Sequence, residues 1–294
     1  AAIDVIRNFL LDVQKSVLPD LRVCRETRAM AVAHASRPPS SVSLQRRTRP
    51  HRTHVQHVFP RVAAAATART FEDVVTERRD ALLAEHLADP RAQRFIAIAG
   101  PPGGGKSTFA HAVCAAVNAR APAGVELAVV VPMDGFHYPL ATLDAWPDPA
   151  LARARRGAPF TFDAAAFVRC IQDLKRDGYG DVPTFDHALH DPVDGGCRVR
   201  REHAVVLVEG NYVLLPEDPW DVLVRERTYN ETWFVDTSVD EAMRRVEARH
   251  VSVGRSAAEA KARADGNDRM NAKLVVDTCR DVADVLIPCV DMMM

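Results

Sequence analysis

The chain has 294 residues, 47% of them hydrophobic and 26% charged, with a formal net charge of −1. That is enough apolar material for one large core or two modest ones, and no apolar run reaches the roughly 18 residues of a membrane span. The six cysteines show no C-x-x-C pair and no metal-ligand spacing, which suits free thiols in a reducing compartment.

The near-neutral total hides an asymmetry. Residues 1–69 carry a net charge of +8 and the remainder −9. No acidic residue occurs between Glu26 and Glu72, where Arg37, Arg46, Arg47, Arg49, Arg52, Arg61 and Arg69 fall among Ser, Thr and Pro. This is the composition of an organellar transit peptide, chloroplast or mitochondrial; a cytoplasmic protein is the alternative. One expectation is that Met30, opening Met-Ala-Val-Ala-His-Ala-Ser, is the initiator and residues 1–29 are upstream sequence. Plain disorder and a basic tail that touches nucleic acid or anionic membrane compete with the transit-peptide reading. Aromatic residues to stack on bases are nearly absent from the segment, so nucleic acid is not an expected partner. The expected organisation is a basic, disordered segment over 1–69 and one domain over 70–294.

The first expected element is a helix over Phe71–Leu87, with Val74, Val75, Leu82, Leu83 and Leu87 on or near one face. A strand, Phe95–Ala99, follows and leads directly into Gly100-Pro-Pro-Gly-Gly-Gly-Lys106-Ser107-Thr108. That stretch fits G-x-x-x-x-G-K-[ST], the phosphate-binding P-loop. Gly100, Gly103, Gly104 and Gly105 let backbone N–H groups turn inward around phosphates, Lys106 adds a point charge, and the Ser107 hydroxyl, next to Thr108, can ligate Mg²⁺. A helix runs from about Lys106 to Ala119. Next come a strand at Leu127–Val131, an amphipathic helix at Asp163–Lys175, and the wholly apolar strand Val205–Val208. Thr232–Val235 is a further strand, Val239–His250 a helix, Arg255–Leu274 helical in part, and Ala283–Val290 a last strand. Strands alternating with helices give an α/β fold with a central parallel sheet of about five strands.

Ligands of open α/β sheets bind outside the carboxyl ends of the strands, and three strands end there in an acid. Glu209 is the better placed for a metal, since its strand is the most apolar and Gly210 permits close approach of phosphates. Asp134 then falls to the acceptor side, where a carboxylate can take a hydroxyl proton. Asp236, in Asp236-Thr-Ser-Val-Asp240, reads as part of the cap of the next helix. Arg245 and Arg249 share a helical face four residues apart, with Glu241 four residues earlier, a spacing that an ordinary salt-bridge ladder explains equally well. His137 and His187 suit either contact with a ligand or the edge of the core. Arg155 and Arg156 suit either phosphate or a solvated loop.

Behind the P-loop, four segments follow in order: Met133-Asp-Gly-Phe-His-Tyr138, Arg155-Arg-Gly-Ala-Pro-Phe-Thr-Phe-Asp163, Pro183-Thr-Phe-Asp-His187 and Val208-Glu-Gly-Asn-Tyr212. Together they resemble the uridine kinase, phosphoribulokinase and pantothenate kinase superfamily of P-loop kinases. The likeness spans about Phe71–Val290 and is strongest to a fungal and bacterial branch that carries "PMDGFH". The resemblance implies a P-loop kinase fold with a helical lid, ATP and Mg²⁺ as cofactors, and a small-molecule hydroxyl as phosphate acceptor. It implies Asp134 as catalytic base, His187 at the acceptor, Glu209 as the acid associated with Mg²⁺, and Arg245 and Arg249 as lid arginines. The acceptor pocket would be lined by Asp134, His137, Tyr138 and His187. The residues after Asp134-Gly135 differ from those of nucleoside and pantothenate kinases, so the acceptor stays open, and the regulatory P-loop cysteine of phosphoribulokinases has no counterpart here. An ATPase or nucleotide-dependent switch acting on a protein partner is the alternative activity, a non-catalytic nucleotide-binding module a third class, and a homodimer the expected assembly.

Overall fold

The structure, a computed structural model, describes residues 69–186 and 188–289. The basic segment up to residue 68, with its transit-peptide reading and Met30, lies outside the described residues, and so does His187. Everything below concerns the unit that begins at Arg69.

Helix α1 (Phe71–Ala88) starts at a capping box: the Thr70 hydroxyl accepts from the Asp73 amide and the Asp73 carboxylate accepts from the Thr70 amide. Strand β1 (Arg94–Ala99) leads through the P-loop into α2 (Lys106–Asn118). Strand β2 (Ala128–Pro132) ends in a 3₁₀ turn, Met133–Phe136, followed by two short helices, α3 (Leu140–Asp144) and α4 (Pro149–Ala154). Helix α5 (Ala164–Asp177) is capped by the Asp163 carboxylate, which accepts from the Ala166 amide, and stops at Gly178 in the left-handed conformation. Then come β3 (Gly180–Asp186), β4 (Asp191–Val199), β5 (Val205–Glu209), α6 (Val222–Arg225) and β6 (Glu231–Asp236). Helix α7 (Val239–Ser252), α8 (Ala257–Arg263), a π turn, α9 (Arg269–Cys279) and β7 (Val285–Pro288) complete the described chain.

Five strands form one parallel sheet in the order β2-β5-β1-β6-β7. The alternation of side chains along each strand divides the core in two. Phe95, Ala97, Val206, Val208 and Phe234 point to the face covered by α5 and α9. Ile96, Ile98, Leu207, Trp233 and Val235 point to the face covered by α1 and α2. Both faces are buried, which is why these strands read as continuous apolar runs rather than alternating ones.

Two features differ from the sequence-based expectation. Between α5 and β5, where no element is expected, β3 and β4 form a separate antiparallel hairpin. Pro183, Gly195 and Gly196 break its hydrophobic pattern, and most of β4 is exposed, so it lacks the signal that betrays a buried strand. The cap of α7 belongs to Ser238, whose hydroxyl accepts from the Glu241 amide, while Asp236 pairs bidentately with Arg280 at 2.9 and 2.8 Å.

The hairpin lies directly on the 3₁₀ turn after β2. A Cβ on Gly135 would stand 2.0 Å from the Pro183 carbonyl oxygen, so only glycine allows this approach. Gly135→Ala is expected to cost about 1–3 kcal/mol through overpacking, seen as a fall of several degrees in Tm.

Candidate active site

The register of the sheet brings the functional residues to one edge. Glu209 pairs with Pro132 on one side and Ile98 on the other. The end of β5 therefore sits between the P-loop after β1 and the turn after β2 that carries Asp134. At the loop, Gly103 has φ +77, and a Cβ there would meet the Ala242 carbonyl oxygen at 2.5 Å and Val246 Cγ2 at 2.6 Å. The loop is thus pressed against α7 in a conformation other residues resist. The Thr237 hydroxyl, fully buried, donates to the Gly104 carbonyl at 2.9 Å and pins the loop from the end of β6.

Lys106 opens α2 and is almost wholly buried. Its Nζ donates to the Pro101 carbonyl at 3.1 Å and to Asn211 Oδ1 at 2.7 Å. The Ser107 hydroxyl donates to Glu209 Oε1 at 3.0 Å. Burial lowers the pKa of Lys106, against which the charges of Glu209 and Asp134 act, while Arg249 lowers it further. Burial likewise raises the Glu209 carboxyl to about 7, opposed by Lys106, reinforced by Asp134 and opposed by the Ser107 hydroxyl. These mutual influences place Asp134, Lys106, Glu209 and Arg249 within one electrostatic neighbourhood. The N-terminus of α2 adds a positive helix dipole to it, as anion sites require.

A hydroxyl and a carboxylate oxygen converging beside a lysine are hard donors suited to Mg²⁺, which takes few protein ligands and completes its shell with phosphates and water. Ser107 and Glu209 fit that ion. Among the described residues no three His, Cys, Asp or Glu side chains gather into an all-protein metal site.

Asp134 sits half-buried in the 3₁₀ turn, and no hydrogen bond engages its carboxylate among the described residues. His137, three residues on, holds the turn from below. Its Nδ1 lies 2.9 Å from the Asp134 carbonyl oxygen and its ring rests between Phe162 (3.9 Å between centroids) and Phe185 (4.9 Å). Tyr138 packs edge-on against Trp146. Arg156 pairs with Asp191 of the hairpin at 2.9 Å and donates to the Tyr138 carbonyl, so it ties hairpin to turn. Arg155 reaches Asn267 in the π turn.

The structure separates the two arginines of α7. Arg249 is exposed and its charge is felt at Lys106. Arg245 pairs with Glu241 at 2.6 Å, as the ladder reading has it, and lines a small cavity against Gly104 and Gly105. Sequence reasoning missed Asn211 and Thr237. Asn211 could have been found from its place beside Glu209, where a side chain at a strand end faces the loop; nothing marked Thr237.

A five-stranded parallel sheet with a P-loop at its central strand, and two acids at the neighbouring strand ends, defines a P-loop kinase. The chain belongs to the Phosphoribulokinase / Uridine kinase family, whose profile matches residues 95–293. A protein of Schizosaccharomyces pombe, described provisionally as a uridine kinase, is 39% identical over 185 residues, covering 62% of this chain and 77% of its own length. The solved structure of a Silicibacter sp. TM1040 protein, described provisionally as a fructose transport system kinase, superposes with a TM-score of 0.63 at 31% identity, covering 75% of this chain and 100% of that one. The Saccharomyces cerevisiae P-loop protein YFH7 shares the fold, with a TM-score of 0.66 at 20% identity over 73% of this chain and 98% of its own.

The buried acid has a consequence for stability. Glu209 holds its proton more tightly folded, at about 7, than at its ordinary value of 4.5. Its contribution is therefore complete below pH 4.5 and lost as pH rises through 7. Without metal or nucleotide, the wild type should lose up to about 3 kcal/mol more than Glu209→Gln between pH 5 and 8.5, measured by urea unfolding.

Proposed function

We propose that the chain is an ATP-dependent kinase that transfers the γ-phosphoryl group to a hydroxyl of a small metabolite. The observation that carries this reading is the position of Asp134. Its carboxylate is free of hydrogen bonds among the described residues, stands in the turn just after the strand end that pairs with Glu209, and acts electrostatically on Lys106. A pure nucleotide-binding module has no use for a second, unengaged acid at that edge.

Lys106 and the loop amides would hold the phosphates, while Ser107 and Glu209 would hold Mg²⁺. When bound, Mg²⁺ would supply positive charge against the phosphates that Lys106 and the loop amides hold. Asp134 orients the acceptor hydroxyl and receives its proton as the oxygen attacks. Arg249 supplies positive charge from α7 toward the transferring group. His137 steadies the Asp134 turn from the same flank, and Arg156 braces the hairpin that flanks the acceptor side. Because phosphoryl transfer passes through a loose transition state, this positioning and charge placement supply most of the acceleration. The names of the relatives support a sugar or a nucleoside as the acceptor class.

Asp134→Asn should lower turnover by about 10²–10⁴-fold while leaving the Kd for ATP unchanged. The measurement is ADP release across a panel of fructose, nucleosides, pantothenate and glycerate. Release that no metabolite stimulates would favour the ATPase or switch activity instead.

A further inference from the structure

At the end of β5, consecutive residues each meet a different part of the site. Glu209 accepts from the Ser107 hydroxyl. Gly210 lies so close to Met133, the first residue of the turn that carries Asp134, that a Cβ on it would stand 2.4 Å from the Met133 Cβ. Asn211 accepts from Lys106 at 2.7 Å, and the Tyr212 hydroxyl donates to the Gly157 carbonyl at 2.6 Å. Charge accounts for Glu209 and space for Gly210. An amide at the next position needs its own reason, since it is neither a base nor a counter-charge.

The lysine supplies that reason. An ammonium has three N–H donors and accepts nothing. Lys106 gives one to the Pro101 carbonyl at 3.1 Å and one to Asn211 Oδ1. With two fixed, a tetrahedral nitrogen has a single direction left for the third, and that N–H has no acceptor among the described residues. A partner that can only donate also forces the amide to turn its oxygen, not its NH₂, toward the lysine.

Both acceptors are uncharged. The Glu209 and Asp134 carboxylates act on Lys106 through charge at a distance, and neither forms an ion pair with it among the described residues. The buried ammonium therefore keeps its positive charge unspent. A carboxylate in place of Asn211 would neutralise it before any phosphate arrived, and the phosphate would then have to break a buried pair. With no oxygen there at all, the ammonium would be tethered by Pro101 alone and drawn toward Glu209, engaging the acid that faces Ser107.

We propose that Asn211 is a positioning residue for Lys106: its neutral oxygen aims the third N–H at the phosphates and holds the ammonium away from Glu209. The inference rests on the ATP-dependent reading above. It assigns to the residue after the Glu209-Gly210 pair a part in phosphate handling that the P-loop motif does not contain.

The test is calorimetric titration of the full chain with Mg-ATP and with Mg-tripolyphosphate, which presents phosphates without a nucleoside. Asn211→Ala should weaken both ligands about tenfold, the strength of one hydrogen bond to a charged group. Asn211→Asp keeps the side chain's size and an oxygen toward the lysine, yet it should weaken both about a hundredfold, because it adds a buried counter-charge. A packing role alone predicts the opposite order, with the isosteric variant the milder. Wild-type affinity in Asn211→Asp, a larger loss in Asn211→Ala than in Asn211→Asp, or loss of ATP without a matching loss of tripolyphosphate would overturn the proposal. If the wild type binds neither ligand, the triphosphate reading of the loop falls with it; if wild type and Asn211→Asp bind both equally, only the role of Asn211 falls.

Discussion

Two opposite charges, Lys106 and Glu209, are taken almost entirely out of water beneath a loop of glycines. Desolvation works against both, raising the acid and lowering the base. Such a pair is a poor source of stability, because each ion forfeits its hydration for an attraction that only partly offsets the loss. Its presence accords with the proposed function, in which a phosphate and a metal would supply compensating charge there. Much of the surrounding architecture keeps this arrangement in place. Parallel pairing sets Glu209 level with the ends of β1 and β2, Asn211 accepts from the lysine, and Thr237 fixes the loop.

The arrangement also gives the sheet edge two flanks. On the β2 flank, the 3₁₀ turn presents Asp134 above a cluster of His137, Phe162 and Phe185, braced through Arg156 and Asp191. On the β6 and β7 flank, the small cavity between Phe71 and Arg245 lies against Gly104 and Gly105. The loop between them is common to both. Helix α8 and the π turn reach the first flank through side chains: Arg263 and Asn267 both donate to the Arg156 carbonyl.

How much of this was legible follows from the physics of each element. The five parallel strands were readable because strands buried on both faces must be apolar throughout, and the P-loop because its backbone geometry admits few residues. Glu209 and Asp134 were readable because strand ends in such sheets are where ligands bind. The hairpin was not, since an exposed two-stranded ribbon rich in Gly, Asp and Pro leaves no periodic signal. The pairing of Asp236 with Arg280 was also hidden, because an acid before a helix has a local explanation that conceals a partner 44 residues away. Arg245 and Arg249 could not be told apart by spacing. One helical face serves a salt-bridge ladder and a phosphate contact equally, and only the packing of α7 against the loop separates them.

The hairpin pairs with nothing but itself: its two strands form their own sheet and never enter the main one. Its length, tip and outward side chains can therefore change without shifting the register that aligns Glu209, Lys106 and Asp134. It meets the turn that carries Asp134 at several places: the Gly135–Pro183 approach, the ring of His137 on Phe185, and the Arg156–Asp191 pair. A lineage built on this scaffold can vary the outer face of the hairpin while the sheet edge beneath it passes on unaltered.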